Sequence, residues 1–309
     1  MTIDTHIDQF FGMDIENFDA EQGIKNSQIA IKISSDDDNY DDTGLFQQQM
    51  AKLLSDSKLP EVQALIVGAW PEAYDESAQV YIDMLLANAD KLENIKALFI
   101  GEMTYEENEI SWIVQGDYAR VWSAFPALTH MQIRGGQSLT LSLGEQSALK
   151  TLIVESGGLP ASVVNEVATC QMPELTHLEL WLGTEDYGWD GNIDTVLPLL
   201  SATKFPKLTH LAIKNSEIQS EILSAVLDSD ILSQLTHINM SMGILTDADA
   251  QLLLDNKAKL ADKIIDVSQN YLSDVMVLRL KENLNVITDD QGEVESYDGE
   301  DYYYVSVAE

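Results

Sequence analysis

The sequence contains a single cysteine, Cys170, so no intrachain disulfide can form and a secreted disulfide scaffold is excluded. No stretch approaches the run of about 18 apolar residues that a membrane-spanning helix needs. The start, Met1 to His6, lacks the basic segment and apolar run of a secretory signal. These absences predict a cytoplasmic protein. Cys170 lies in an apolar-patterned segment, which favours a buried, inert thiol over a nucleophile.

Basic residues are also scarce. The chain has 17 Lys and Arg against 52 Asp and Glu, for a formal net charge of −35. A field of this sign repels phosphate backbones and anionic lipids, so neither nucleic acid nor a membrane is expected as a partner. The acidity has two interpretations that charge alone does not separate: high solubility, or attraction to a basic protein.

The sequence lacks the phosphate-binding, dinucleotide-binding, serine-hydrolase and zinc-protease motifs. Two acidic loops, 36–42 and 186–197, fail as calcium loops because Tyr40, Gly188 and Leu197 stand where ligands are needed. Carboxylate pairs are so frequent that they carry little information about acid–base catalysis. The sequence therefore predicts neither an enzyme nor a cofactor.

What the sequence does contain is a repeated phrase built around Leu-Thr-His. Its four near-copies are Phe125–Ile133, Met172–Leu180, Phe205–Ile213 and Leu235–Met240. They share a frame of one apolar residue, two variable residues, an apolar, a variable and an apolar residue. The frame also fits segments at Val62, Ile95 and Leu149, and imperfectly at Asp262. First positions at 62, 95, 128, 149, 175, 208, 235 and 262 give a period of 21 to 33 residues.

The frame resembles that of the leucine-rich-repeat family, over about residues 28 to 285, and the longer periods resemble its ribonuclease-inhibitor-like subclass. The resemblance implies an α/β solenoid of about 8–9 repeats, with a curved parallel sheet inside and helices outside. The asparagine that usually follows the strand is present only as Asn215 and Asn270, so an incomplete side-chain ladder is expected. The chain is also similar to a family of bacterial cytoplasmic leucine-rich-repeat proteins without an assigned activity. The motifs that carry this similarity are His6–Phe10, Trp181–Gly188 and Tyr304–Val307.

Helix-length amphipathic stretches separate the predicted strands, so strand and helix alternate along a single domain. Residues 1–27 are expected to cap the core, 28–285 to form the repeats, and 286–309 to form an acidic C-terminal extension. Tyr302–Val305 could dock as an edge strand, and Ser34 to Asp42 is expected to be a solvated loop. The predicted helices are 45–54, 76–92, 159–170, 192–200, 220–227, 246–254 and 273–280.

Four of the five histidines occupy the third position of the frame: His130, His177, His210 and His237, with Thr151 in the intervening repeat. Alternation along a strand turns this position to the concave face, and neighbouring strands lie about 4.8 Å apart. One interpretation is a stacked polar ladder. The other is a metal site, with His177, His210 and Glu179 as candidates. A ladder is favoured because it holds its side chains parallel, whereas metal ligands converge on one ion.

The concave face is the predicted contact surface for a protein partner. Phe99, Ile153 and Trp181 would be unusual on a sheet face that binds no partner, so they are candidate anchors for a partner protein. The alternative is that the insertion at 183–192 or the C-terminal tail covers them. The predicted partner-binding residues are His130, Gln132, Arg134, Ile153, His177, Glu179, Trp181, His210, Lys214, His237 and Asn239.

Three functions are consistent with these features. The first is a non-catalytic protein–protein interaction module. The second is an inhibitor or neutraliser of a basic enzyme, to which negative charge would steer association. The third is a metal-dependent enzyme built on the histidine ladder. The sequence specifies neither the partner nor the oligomeric state.

Overall fold

The computed structural model describes residues 3–35, 42–146 and 148–309. The loop predicted from Ser34 to Asp42, and with it the rejected calcium loop at 36–42, lies mostly outside these ranges. The chain forms two compact units. The N-terminal unit comprises residues 3–155 with Cys170–Met172, and the C-terminal unit comprises Ser156–Thr169 and Pro173–Ala308.

The N-terminal unit is a sheet whose strands follow one another in chain order. Strands β1 and β2 pair antiparallel, and every later pair from β2 to β7 is parallel. The strands are β1 (Gln9–Phe10), β2 (Met13–Asn17), β3 (Ala30–Ile33), β4 (Ala64–Gly68), β5 (Ala97–Glu102), β6 (His130–Arg134) and β7 (Thr151–Glu155). The helices are α1 (Thr43–Ser55), α2 (Gln79–Ala87) and α3 (Ala119–Ala124), with 3-10 turns at Leu59–Glu61, Ala89–Lys91 and Ile110–Trp112.

The C-terminal unit repeats this alternation, and its strands β8 to β12 are all parallel. They are β8 (His177–Gly183), β9 (His210–Ser216), β10 (His237–Asn239), β11 (Ile264–Asp266) and β12 (Asn285–Ile287). The helices are α4 (Ala161–Thr169), α5 (Ile193–Val196), α6 (Gln219–Asp228), α7 (Asp247–Asp255), α8 (Lys257–Leu260) and α9 (Asp274–Asn283). Further 3-10 turns lie at Glu185–Tyr187, Leu197–Leu199 and Ile231–Ser233, and a separate hairpin joins β13 (Glu295–Tyr297) to β14 (Glu300–Tyr302).

The predicted repeating alternation of parallel strand and helix is confirmed in both units. Each of the seven predicted stretches contains a helix, but the stretch 76–92 ends as α2 at Ala87, and the stretch 192–200 is the four-residue α5 followed by a 3-10 turn. Several of the starts carry the expected side-chain acceptors: Asp42 accepts the Leu45 N–H at 2.9 Å, and Ser273 accepts the Met276 N–H at 3.3 Å. Such acceptors satisfy amide donors that have no partner within the first helical turn.

The frame residues form the core of each unit. In the N-terminal unit the fourth frame position is held by Leu65, Leu98, Met131 and Leu152, and each is at most 2% exposed. In the C-terminal unit Leu178, Leu211, Ile238 and Ile265 hold the same position and are equally buried, at 2% exposed or less. Burial of each such side chain stabilises the fold by about 1.5–3 kcal/mol. The apolar frame therefore specifies the helix-facing side of the sheet.

The two ends of the chain depart from the frame. Strand β2 pairs with β3 at the end where a cap was expected, and β1 turns back against β2. At the other end the parallel sheet gains β12, which begins at the predicted end of the repeats, residue 285, and extends two residues beyond it. Tyr302 does not dock as an edge strand of this sheet, because β14 pairs with β13 in the separate hairpin.

Candidate functional site

The histidines of the C-terminal unit lie side by side on three neighbouring strands. His177 pairs in register with His210, and His210 with His237; Ile264 and Asn285 continue the same row on β11 and β12. All three imidazoles are half-buried. We call His177, His210 and His237 the histidine strip. It lies on the sheet face opposite the buried frame residues, as the alternation along the strands requires.

The rings of the histidine strip are nearly parallel. The centroids of His210 and His237 are 4.0 Å apart with an interplanar angle of 10°, and those of His177 and His210 are 5.7 Å apart at 31°. Burial lowers the pKa of His210, and the neighbouring His237 and His177 lower it further because like charges repel. The strip is thus a stack of imidazoles that is held neutral at its centre.

The threonines that precede His210 and His237 orient the rings of these two histidines. The Thr209 hydroxyl donates to the Thr176 carbonyl at 3.3 Å and lies 2.9 Å from Nδ1 of His210. Thr236 makes the same pair of contacts, to the Thr209 carbonyl at 3.1 Å and to Nδ1 of His237 at 3.0 Å. Because each hydroxyl proton is directed to a carbonyl, the hydroxyl oxygen accepts Nδ1–H. The Nε2 atoms of His210 and His237 are then hydrogen-bond acceptors.

Beside the strip, Glu179 is held in a network of donors. Trp181 donates its indole N–H to Glu179 Oε1 at 2.6 Å, Lys214 Nζ lies 3.4 Å from the same oxygen, and His177 Nε2 lies 3.5 Å from Oε2. The Lys214 ammonium also lies 4.7 Å from the centre of the Trp181 ring. Burial raises the pKa of Glu179, but Lys214, His177 and Trp181 outweigh it and lower this pKa to about 2.

A cavity of about 180 Å³ opens on this face. Its floor includes Ala212, the small residue between Glu179 on β8 and Asn239 on β10 in the fifth frame position. The imidazoles of the strip line the cavity, together with Asp266 and the apolar side chains of Ile264 and Ile287. Ile287 is 42% exposed, so the apolar part of the lining reaches solvent.

The corresponding face of the N-terminal unit is occupied by the chain itself. Residues 3–11, which we call the strap, lie over it, and Phe10 of the strap packs with Ala30, Ala64, Ile66, Ala97 and Phe99. The Phe10 ring lies 6.0 Å from that of Phe99 and meets His130 edge-on at 5.1 Å. Phe99 is fully buried, so the expectation that it is an exposed anchor is wrong.

Buried charges fasten the strap. The carboxylate of Glu102 is fully buried and receives the Ile7 N–H at 3.2 Å, His6 Nδ1 at 3.0 Å and the ammonium group of Lys32. Burial raises the pKa of Glu102, but Lys32, His6 and Arg134 lower it more, so its pKa lies below the ordinary value. Of these groups, only the Glu102 side chain has no exposed surface, and it is the anchor of the network.

Two further predicted binding residues are also buried in the N-terminal unit. Arg134 is 4% exposed; its guanidinium donates to Glu155 at 2.6 Å and to the Met103 carbonyl, and lies 5.4 Å from the Phe99 ring centre. Gln132 is 8% exposed and donates to the other oxygen of Glu155 at 2.7 Å. Ile153, on the neighbouring strand, is half-buried. The partly exposed predicted residues therefore concentrate in the C-terminal unit.

The insertion at 183–192 packs against Gly157 and Gly158 and against the start of α4. Gly183 approaches the Gly157 carbonyl so closely that a Cβ would overlap it, and Asp190 accepts the Ala161 N–H at 2.7 Å. Trp181 is 8% exposed and contacts Glu179 and Lys214. The sequence did not predict that the strap covers the sheet face of the N-terminal unit. The feature that could have indicated it is the presence of three apolar residues, Ile7, Phe10 and Phe11, outside the repeat frame.

No group of three or more His, Cys, Asp and Glu side chains within residues 3–35, 42–146 and 148–309 has the geometry to hold a metal ion. His177, His210 and Glu179, the predicted metal candidates, are adjacent, but Glu179 is engaged by Lys214 and Trp181. Cys170 is buried, as its sequence context predicts. In the described part of the chain no helix is long and apolar enough to cross a membrane.

The repeating frame and the parallel strands that alternate with helices define a leucine-rich-repeat protein. Among solved structures, the chain is 34% identical to a protein from Bacteroides fragilis whose crystal structure comes from a structural genomics consortium, with a TM-score of 0.78. The match covers 89% of this chain and 76% of the other. The chain belongs to the family of that Bacteroides fragilis protein, and the predicted leucine-rich-repeat fold is confirmed.

A leucine-rich-repeat domain of APL1B also matches, at 11% identity over 81% of each chain, but its TM-score of 0.23 gives it no weight. No protein-family model and no curated protein matches the sequence.

Proposed function

We propose that this protein is a non-catalytic interaction module that binds a basic protein on the histidine strip and the adjoining cavity of the C-terminal unit. The observation that carries the proposal is the cavity over Ala212, which combines imidazole acceptors, a carboxylate and exposed apolar surface. The equivalent face of the N-terminal unit is filled by the strap, whereas the strip keeps its imidazoles half-buried.

The chemistry of the lining favours a cationic side chain. Nε2 of His210 and Nε2 of His237 are acceptors in the arrangement that their threonines set, and lysine and arginine supply only donors. Asp266 adds a carboxylate at the other end of the cavity. The net charge of −35 would attract such a partner over long range and increase its association rate.

The apolar part of the lining supplies the contact area that a charge pair alone lacks. Ile264 on β11 continues the row of the histidines, and Ile287 on β12 lies in the neighbouring row, beside Asp266. Buried apolar contact surrounded by polar groups is typical of the residues that dominate binding energy at protein interfaces. A partner that inserts one lysine or arginine and covers Ile287 would use both features.

The test is affinity capture from a lysate of the source organism, at low and moderate salt, with a variant that fills the cavity. Ala212→Leu adds apolar volume on the cavity floor without changing charge. Ala258→Leu is the matched control, because Ala258 is exposed on α8. We expect a basic protein that the unmodified chain and Ala258→Leu retain and Ala212→Leu loses, with all three chains folded by circular dichroism. Equal retention by Ala212→Leu would refute the site.

A second candidate function is inhibition of a basic enzyme by the same face. The net charge favours it, because natural inhibitors of cationic enzymes use opposite charge to accelerate association. Once a partner is captured, its association rate should fall steeply between low and physiological salt, and its activity should be lost on binding. A captured partner whose activity is unchanged on binding would exclude this function and leave the adaptor role.

A further inference from the structure

The C-terminal tail, residues 304–307, is bound to the body of the C-terminal unit through hydrogen bonds at three of its four residues. Asn215 is fully buried, and its side-chain amide holds the backbone of Val307 on both sides: Oδ1 accepts the Val307 N–H at 2.9 Å and Nδ2 donates to the Val307 carbonyl. The Ser306 N–H donates to the Met242 carbonyl at 2.9 Å. Nearly all of these contacts are made to main-chain atoms of the tail.

The other end of the tail is held by one phenol. The Tyr271 hydroxyl accepts the Tyr304 N–H and donates to the Tyr304 carbonyl, both at 2.9 Å. The Tyr271 ring also meets the Tyr303 ring edge-on at 5.0 Å. Between these anchor points Val305 and Val307 are 7% and 3% exposed, whereas Ser306 between them is half-buried. The tail is thus recognised through its backbone and two alternate valines.

The body side of this contact is built by the repeats. Asn215 lies near the end of β9, and Met242 and Gln269 follow β10 and β11; all three have positive φ, at 52°, 68° and 53°. The same left-handed backbone therefore recurs at one position in three successive repeats. We call Asn215, Met242, Gln269 and Tyr271 the ledge. The ledge holds the tail with two side chains, Asn215 and Tyr271, and with the Met242 carbonyl, and all three hydrogen-bond the main chain of the tail.

The chain between the body and the tail is a separate hairpin. Its strands, β13 and β14, are three residues long, and all six residues are exposed. A two-stranded hairpin of this length is marginally stable by itself, so it contributes little to holding the tail in place on the body. Its turn, Asp298-Gly299, has positive φ at both residues and lies at the exposed tip.

We propose that the ledge is a peptide-binding site. Its ligand is a peptide segment with valine or a similar β-branched residue at alternate positions, and the tail is a built-in occupant that competes with ligands from other chains. This site is distinct from the histidine strip and does not depend on the proposed function. Because the tail is covalently linked to the body, its effective concentration at the ledge is high. A free peptide must compete with the tail, so we expect the intact chain to bind it weakly.

The experiment makes the tail a separate molecule after folding. A protease site inserted between Asp298 and Gly299, at an exposed turn where insertions are tolerated, is cleaved in the folded chain. We expect the fragment from Gly299 onward to dissociate on dilution, the body to remain folded by circular dichroism, and a labelled synthetic peptide of residues 302–309 to rebind. Unfolding of the body when the fragment leaves, or a folded body that does not rebind the peptide, would overturn the proposal.

Two substitutions in the cleavable chain show whether rebinding uses the ledge. Tyr271→Phe removes the hydroxyl that makes both bonds to Tyr304, and we expect peptide binding to weaken about tenfold. Tyr105→Phe is the matched control, because Tyr105 is 41% exposed in the N-terminal unit and should leave peptide affinity unchanged. Equal peptide affinity in both variants would place the peptide elsewhere and contradict the proposal.

Discussion

His210 and His237 stack ring on ring, with centroids 4.0 Å apart and planes inclined by only 10°. The hydroxyl of the preceding threonine contacts Nδ1 of each ring, at 2.9 Å in His210 and at 3.0 Å in His237. The recurrence of Leu-Thr-His therefore has a structural reason: leucine fills the core, threonine orients the ring, and histidine extends the stack.

The first prediction concerns pH. His210 faces His177 and His237 on the adjacent strands, with Glu179 one alternate position along β8, and its pKa lies below the ordinary value of 6.5. In the unfolded chain His210 binds a proton near pH 6.5, but in the folded chain only at lower pH. The unfolded state therefore takes up more protons as the pH falls through 6.5, and the folded state loses stability. We therefore expect the free energy of unfolding, measured by urea denaturation, to fall less between pH 7.5 and pH 5.5 in His210→Gln than in the unmodified chain.

The second prediction concerns Glu179. Its pKa of about 2 lies below the ordinary value of 4.5, so the ionised carboxylate stabilises the fold above pH 4.5 and this contribution is lost as the pH falls toward 2. Glu179→Gln should lower the free energy of unfolding by about 1–3 kcal/mol at pH 7, because Lys214 is left without its charge partner. Urea denaturation should show that the difference in free energy of unfolding between the two chains becomes smaller as the pH is lowered from 4.5 to the lowest pH at which the protein folds.

A matched control is Glu174→Gln. Glu174 pairs with Lys207 at 2.6 Å, but both side chains are exposed, at 41% and 55%. Its removal should change the free energy of unfolding by less than about 1 kcal/mol. An equal effect of the two substitutions would contradict the assigned network.

The third prediction concerns the strap. Phe10 is 3% exposed and packs with Phe99 and His130, so Phe10→Ala should cost about 3–5 kcal/mol and expose the apolar face beneath it. The measurements are urea denaturation and binding of a hydrophobic dye. Tyr74→Ala, at a residue that is 52% exposed in the same unit, should change stability by about 0.5 kcal/mol or less and leave dye binding unchanged.

The fourth prediction concerns two glycines with similar backbone angles. Gly183 and Gly12 have φ of 73° and 69°, but a Cβ at Gly183 would overlap the Gly157 carbonyl, whereas among the described residues none comes within 4 Å of a Cβ at Gly12. Gly183→Ala should therefore cost more than about 3 kcal/mol, and Gly12→Ala about 1 kcal/mol from left-handed strain alone. Comparable melting temperatures for the two variants would show that the insertion does not pack as described.

The repeat explains which parts of this structure could be predicted. Apolar residues at fixed frame positions determine the strands, their parallel order and their buried face, and Leu178, Leu211 and Ile238 are buried as expected. The same alternation places the histidines on the opposite face. Asn270 also acts as the frame implies, since its side chain accepts the Leu245 N–H and donates to the Met240 and Val267 carbonyls.

The ends of the chain could not be predicted in this way, because their contacts join residues far apart in sequence and outside any repeat. Ile7 reaches Glu102, and Val307 reaches Asn215. Asn215 occupies a frame position that suggests a turn ladder, yet it holds the tail. Whether a sheet face is open or covered depends on such contacts, which is why Phe99 was predicted as an anchor and is buried.

The most direct test of the central claim is photo-crosslinking from the histidine strip. A photoreactive amino acid at Asn239, which is half-buried at the cavity, is compared with one at Glu282, which is exposed on α9. The two chains are illuminated with the captured basic partner at low salt. We predict a covalent adduct from position 239 that excess unmodified chain suppresses, and none from position 282. An adduct from position 282 without one from position 239 would contradict the assignment of the histidine strip as the binding face.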